Sequence, residues 1–182
     1  MKAYPQLTRP RTTLIPSVFS TVRLYLQLTK PRIVLLLLIS TAAGMLAAGG
    51  GSVPWGVGAA LLLGGYLCAG GAGAMNCYLD RELDMAMVRT RHRPLPAGQV
   101  APRSALVFSI FISLLSLPFL LAVGVLVAVL GAVAWTYYVL VYSVLLKRRT
   151  SQNIVMGGAA GAFPPLIGWA AVQGGIDLSA VF

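Results

Sequence analysis

The strongest constraint on this chain is where its charges are missing. No Lys, Arg, Asp or Glu occurs from Ile33 to Leu79, from Ser104 to Leu146, or from Thr150 to Ile176. Uninterrupted apolar runs of this length need lipid as solvent, and in lipid only helices or closed barrels satisfy their own backbone groups. One helical span needs about 20 residues at about 1.5 Å rise each. The first run, 47 residues long, would reach about 70 Å as one helix. It must therefore fold back as two spans, and the break is visible at Gly49-Gly50-Gly51-Ser52-Val53-Pro54. The second run also makes two spans, turning near Val123-Gly124. The third makes one. The chain is thus expected to be an all-α polytopic membrane protein with about five transmembrane helices.

The basic residues fix an orientation. Lys2 to Arg32 precede the first span, Arg81 to Arg103 join the second to the third, and Lys147 to Arg149 follow the fourth. The opposite loops carry one charge, Asp177. This is the positive-inside pattern, so the N-terminus and the basic loops are expected to be cytoplasmic. Fourteen Lys and Arg stand against four Asp and Glu. That surplus reads as topology and as attraction to anionic headgroups or an anionic substrate, not as nucleic-acid binding. Cys68 and Cys77 lie in apolar sequence without metal-ligand spacing and are read as small buried side chains. A cleaved signal peptide does not fit, because the apolar run starts only at Ile33 and continues into a hairpin. The acid-free stretch 1–24 is compatible with a mitochondrial transit peptide in composition, but Pro5, Pro10 and Pro16 oppose the amphipathic helix such a peptide needs. A bacterial inner membrane is the favoured location.

Residues 1–20 read as a flexible cytoplasmic tail and 21–182 as one membrane domain. Thr21–Thr29 is expected to form a short interfacial helix with Val22, Tyr25 and Leu28 on one side. Lys30-Pro31-Arg32 then starts the first span, with Pro31 tolerated in a first helical turn. Small residues crowd the second span, as close helix packing in lipid requires. Pro164-Pro165 is expected to break the fifth span and to face a cavity, where freed backbone groups find partners.

The chemistry gathers on one loop. Asp80, Glu82 and Asp84 follow the glycine-rich span directly, beside five arginines, and Asn76 stands one turn earlier. At 100° per residue, Asn76, Asp80 and Asp84 fall within about 80° of arc, while Glu82 points elsewhere. Two carboxylates and an amide oxygen in line make a hard-oxygen surface suited to Mg²⁺, and the arginines that follow can clamp phosphate oxygens. The bland alternative is a set of solvated boundary charges with Arg81 paired to Asp84 at i,i+3.

Asn76-x3-Asp80-x3-Asp84, followed by Arg89-Thr90-x2-Arg93-Pro94-Leu95-Pro96-x-Gly98, resembles the first Asp-rich motif of the UbiA-type intramembrane prenyltransferases. Lys30-Pro31-Arg32 also resembles that family, and Tyr142-x4-Lys147-Arg148-Arg149-Thr150-x2-Asn153 through Trp169 is similar to its heme-directed branch. The resemblance covers about residues 22–175. It implies part of a nine-helix bundle and transfer of a farnesyl group from farnesyl diphosphate to a vinyl group of heme B, giving heme O. It also implies Mg²⁺ held by Asn76, Asp80 and Asp84, with Asp80 and Asp84 essential to catalysis. Arg89, Arg93 and Lys147 are the candidates for diphosphate contact. Lys30 and Arg32 are explained as helix-start anchors but stay on the list, as do Tyr142 and Asn153 within the matched motif. A heme A synthase or terminal-oxidase assembly is the implied partner. Relatives carry a second Asp motif on a later loop that this sequence does not contain, so the expectation is either a fragment of a longer enzyme or a shortened protein inactive alone.

Other readings remain. The acceptor could be a quinone precursor or another aromatic ring, or the chain could be a transporter or a non-catalytic membrane subunit. Transport is disfavoured by the absence of Lys, Arg, Asp and Glu at mid-span positions. His92, the only histidine, reads as a solvated loop residue, and Trp135, Tyr137 and Tyr138 as packing or interfacial aromatics.

Overall fold

A computed structural model describes residues 18–146 and 153–177, with the side chains of Leu146 and 153–156 excluded. The expected tail up to residue 17 and the candidate Lys147 lie outside the described residues. Seven α-helices are found among them: α1 (Val18–Leu28), α2 (Pro31–Ala48), α3 (Trp55–Ala86), α4 (Pro102–Val123), α5 (Val125–Thr136), α6 (Asn153–Ala160) and α7 (Phe163–Gln173). Helix α5 continues without a break into a π-helical segment, Tyr137–Leu146.

Among the described residues, four helical segments, against the five spans expected, are long and apolar enough to cross a membrane: α2, α3, α4 and α5 with its π-helical extension. Their turns fall where glycine permits them. Gly50 and Gly51 adopt positive φ between α2 and α3, and Gly124 alone separates α4 from α5. The fifth apolar run holds α6 and α7, joined by a turn at Gly161-Ala162. The break thus precedes Pro164-Pro165, and the prolines open α7 instead of interrupting a helix. The fixed φ of proline suits a first helical turn, and its missing N–H removes no hydrogen bond there.

Helix α3 organises the bundle. At 32 residues it spans about 48 Å, well beyond the about 30 Å hydrocarbon core, so its last turns project out of the apolar layer. A Cβ on Gly64 would sit 2.9 Å from Leu120, and one on Gly71 would collide with Ser113, so α4 approaches the α3 backbone closely. Helix α7 packs on α2 in the same way, through Gly44 against Pro165 and Gly168 against Thr41. Gln173 Nε2 donates to the Ala48 carbonyl at 2.6 Å and ties the ends of these two helices together.

Two apolar clusters hold the layers. One contains Met45, Leu61, Leu120, Val127, Ala128 and Ala170 from five helices. The other, at the charged end, unites Leu28, Ala74, Cys77 and Ala105 with Leu95 and Val100 of the 87–101 loop. The loop is therefore a fixed part of the bundle end. In α1 the inward side carries Leu24, Tyr25 and Leu28, with the Tyr25 ring edge-on to Phe108 at 4.9 Å. Val22 departs from the expected face and points outward with Val18, Phe19 and Leu26. The outer faces of α2 and α4 carry exposed Leu35, Leu36, Ile39, Phe111 and Leu114, as lipid contact requires.

Candidate active site

The i, i+4 spacing does bring Asn76, Asp80 and Asp84 to one face of α3, and that face is turned inward. The three side-chain-bearing residues are 3%, 2% and 4% exposed. Glu82 is exposed and pairs with its neighbour Arg81 at 3.0 Å. Two buried carboxylates in a largely apolar bundle demand cations or donors nearby, and the structure supplies both.

Two cations arrive from different elements. Arg93, on the loop, donates from Nη1 to Asp84 Oδ2 at 2.8 Å. Thr90 Oγ1, buried, donates to the Asp84 carbonyl at 3.1 Å and holds the loop against the last turn of α3. The loop's own fold is closed by Gln99 and Val100, whose N–H groups both donate to the Pro94 carbonyl.

Lys30 arrives from the other side. It occupies the elbow between α1 and α2 with φ 55° and ψ 59°, the only non-glycine with positive φ among the described residues. Left-handed backbone in a residue with a Cβ is strained by about 1–2 kcal/mol, and such strain clusters at functional sites. From this elbow Lys30 Nζ donates to Asn76 Oδ1. Thr29 beside it is buried, its hydroxyl donating to the Leu26 carbonyl at 2.8 Å, and it rests on Gly70 and Gly73 of α3.

Asn76 links the groups. Its Nδ2 donates to Asp80 Oδ2 at 2.9 Å and to Ser143 Oγ at 2.9 Å. Ser143, in the π-helical segment and 2% exposed, donates in turn to the Tyr138 carbonyl at 2.9 Å. Beside Asp84 opens a cleft of about 390 Å³, lined by the polar Gln27, Lys30, His92 and Arg93 and by the apolar Leu28, Ile33, Cys77 and Leu95.

The model of the UbiA prenyltransferase family matches residues 37–182. The chain belongs to this family. A protoheme IX farnesyltransferase of Symbiobacterium thermophilum is 51% identical over 160 residues, covering 88% of this chain and 54% of that protein. One from Synechocystis is 52% identical over 156 residues, covering 85% of this chain and 49% of the relative. The chain spans about half the length of the curated relatives it matches. Among solved structures, a UbiA homolog from Archaeoglobus fulgidus bound to DMAPP and Mg²⁺ superposes with a TM-score of 0.69 at 20% identity, over 85% of this chain and 56% of that one. A digeranylgeranylglyceryl phosphate synthase gives a TM-score of 0.76 at 18% identity, over 84% and 55%. The partial UbiA bundle expected from the sequence is therefore the fold observed.

For this UbiA member, Asn76, Asp80, Asp84, Arg93 and Lys30 converge at one end of the bundle. Arg89 and Arg32 are exposed. Tyr142 stacks on Tyr138 with ring centroids 5.5 Å apart and lies over Gly157 of α6. Asn153 starts α6. Ser143 and Thr29 escaped the sequence reading: one is a small hydroxyl in a span whose polar signal is dominated by its tyrosines, the other a routine helix-end residue.

Proposed function

We propose that the protein transfers a farnesyl group from farnesyl diphosphate to a vinyl group of heme B, forming heme O, at the cytoplasmic face of a bacterial inner membrane. One observation carries the reading: buried Asp80 and Asp84 lie one helical turn apart, with Lys30 on the Asn76 amide, Arg93 on Asp84, and Lys30, Asp84 and Arg93 together lining a cleft. The farnesyl donor and heme acceptor come from the names of the roughly half-identical relatives. The distribution of basic residues supports a cytoplasmic N-terminus, and the product would pass to a heme A synthase or a terminal-oxidase assembly.

The donor set fits Mg²⁺. Asp80 and Asp84 present hard oxygens from positions whose Cβ atoms lie about 5–6 Å apart on the helix, a spacing that allows shared ligation with phosphate oxygens. Asn76, the neutral member of the set, would have to share with the metal the Oδ1 that here accepts from Lys30. When bound, Mg²⁺ neutralises negative charge on the diphosphate as it leaves.

The chain's own residues account for the rest. Breaking the allylic C–O bond leaves the electron pair on the diphosphate oxygen and a cation on the farnesyl carbon. Lys30 and Arg93 sit where that leaving charge develops and lower its energy without reorganising. Arg89 and Lys147 are further candidates for diphosphate contact. Leu28, Ile33 and Leu95 on the cleft wall exclude water from the farnesyl cation. Attack by the vinyl carbon joins the two substrates, and water then adds to give the hydroxyethylfarnesyl group.

The test is product formation in membranes from cells expressing the gene. Heme B and farnesyl diphosphate should yield heme O, read by mass spectrometry, only with Mg²⁺ present. Asp80→Ala and Asp84→Ala should each lower the rate by at least about 100-fold. Full activity in either variant would remove the metal assignment, and a prenylated quinone precursor in place of heme O would change the acceptor.

A further inference from the structure

Ser143 is unaccounted for by the chemistry above, yet it is almost fully buried and touches the site through one atom. The direction of its hydrogen bonds can be deduced. A hydroxyl carries one proton, and the Tyr138 carbonyl can only accept, so Ser143 Oγ must donate to it. The same oxygen must then accept from Asn76, which requires the amide nitrogen, not the amide oxygen, to face Ser143. Asp80 Oδ2 also needs a donor from Asn76. Both Nδ2 protons are thereby committed, and Oδ1 is left facing Lys30.

The backbone makes this possible. Ser143 reaches a carbonyl five residues earlier, within the π-helical segment Tyr137–Leu146. π-helical turns are rare, and they recur at functional sites. The segment brings the Ser143 hydroxyl to Asn76 on the acid face of α3.

We infer that Ser143 is a positioning residue: through the Asn76 amide it sets the orientation of the metal-binding face of α3, so the π-helical segment fixes the site's geometry together with α3. This rests on the proposed metal role of Asp80, Asp84 and Asn76. Groups that orient metal ligands typically change metal affinity by about 10–100-fold when removed.

The experiment uses the protein in lipid nanodiscs with Mn²⁺ as the probe, its free concentration read by electron paramagnetic resonance. Ser143→Ala should raise the Mn²⁺ half-saturation concentration by about tenfold. Ser143→Thr, which keeps the hydroxyl, should return it to within about twofold of the unsubstituted protein. Ser109→Ala removes an equally buried hydroxyl that bonds the Leu106 carbonyl away from the site, and it should leave half-saturation unchanged. A metal-free arm compares melting temperatures of Ser143→Ala, Asn76→Ala and the double variant, where the double should lose less than the sum of the two losses. Unchanged Mn²⁺ binding in Ser143→Ala, failure of Thr to rescue it, or additive melting shifts would each overturn the inference. If the unsubstituted protein bound no Mn²⁺ while the cycle stayed coupled, the metal reading would fall and the Asn76–Ser143 link would stand.

Discussion

Gly73→Ala offers a way to move Lys30, proposed above to face the diphosphate, without touching it. A Cβ at position 73 would sit 3.0 Å from the Thr29 carbonyl oxygen and 3.4 Å from its carbonyl carbon. Ordinary contact begins at about 3.4–3.5 Å, so the Thr29 carbonyl must retreat by about 0.4 Å. That carbonyl is backbone in the elbow that holds Lys30 left-handed, and the displacement passes directly to the ammonium on Asn76. Overpacking costs about 1–3 kcal/mol, and Ala recovers about 1 kcal/mol of helix propensity relative to Gly. The net cost is about 0–2 kcal/mol, which a folded bundle survives with a melting temperature lowered by no more than about 8 °C. Catalysis is more sensitive, since a 1 Å misplacement can cost about 100-fold, so a shift of this size should lower kcat/KM by about tenfold. Gly65→Ala is the matched control. It sits on the same helix, gains the same propensity, and meets only the flexible end of Leu38 at 3.3 Å. Heme O formation in membranes and thermal unfolding in detergent would be measured for both variants. A Gly73→Ala enzyme with kcat/KM within twofold of Gly65→Ala would refute the idea that the elbow's position matters to the reaction.

Two further variants probe other contacts. Arg93→Ala removes the cation on Asp84 and should raise the KM for farnesyl diphosphate by about tenfold, with Arg93→Lys restoring only part because it loses the guanidinium fork; steady-state kinetics decide. Gly168→Ala would drive a methyl into the Thr41 carbonyl, with the Met45 nitrogen at 3.0 Å, so α7 must lift off α2 and thermal stability should fall by about 2–3 kcal/mol or more.

The topology was legible because its causes are local. Charge-free length marked four of the five expected crossings, a glycine cluster the turn at 49–54 and a single glycine the one at 124. The spacing of Asn76, Asp80 and Asp84 placed them on one face for the same reason. What lay hidden depends on tertiary contact. Nothing in Lys30-Pro31-Arg32 announces a left-handed lysine, because Gly70 and Gly73 that receive its neighbour Thr29 lie about 40 residues away. Ser143 is invisible as a site residue until the helix carrying it widens. The double proline misled about position because it reads as a breaker, yet the same fixed φ starts α7 well. Val22 turned outward because the bundle end receives Leu24, Tyr25 and Leu28.

The length of α3 has a consequence for how such a protein can vary. The helix carries its packed glycines and its acids on one uninterrupted rod, from Trp55 to Ala86. One residue inserted between Gly73 and Asn76 would rotate every later side chain by about 100° and lift it by about 1.5 Å. Asp80 and Asp84 would then face away from Lys30, Arg93 and Ser143 together. Substitutions along the rod can be absorbed one at a time, but a change of length there puts the whole acid face out of phase. A change of length in the 49–54 turn, which precedes the rod, would leave the angular setting of its acids untouched.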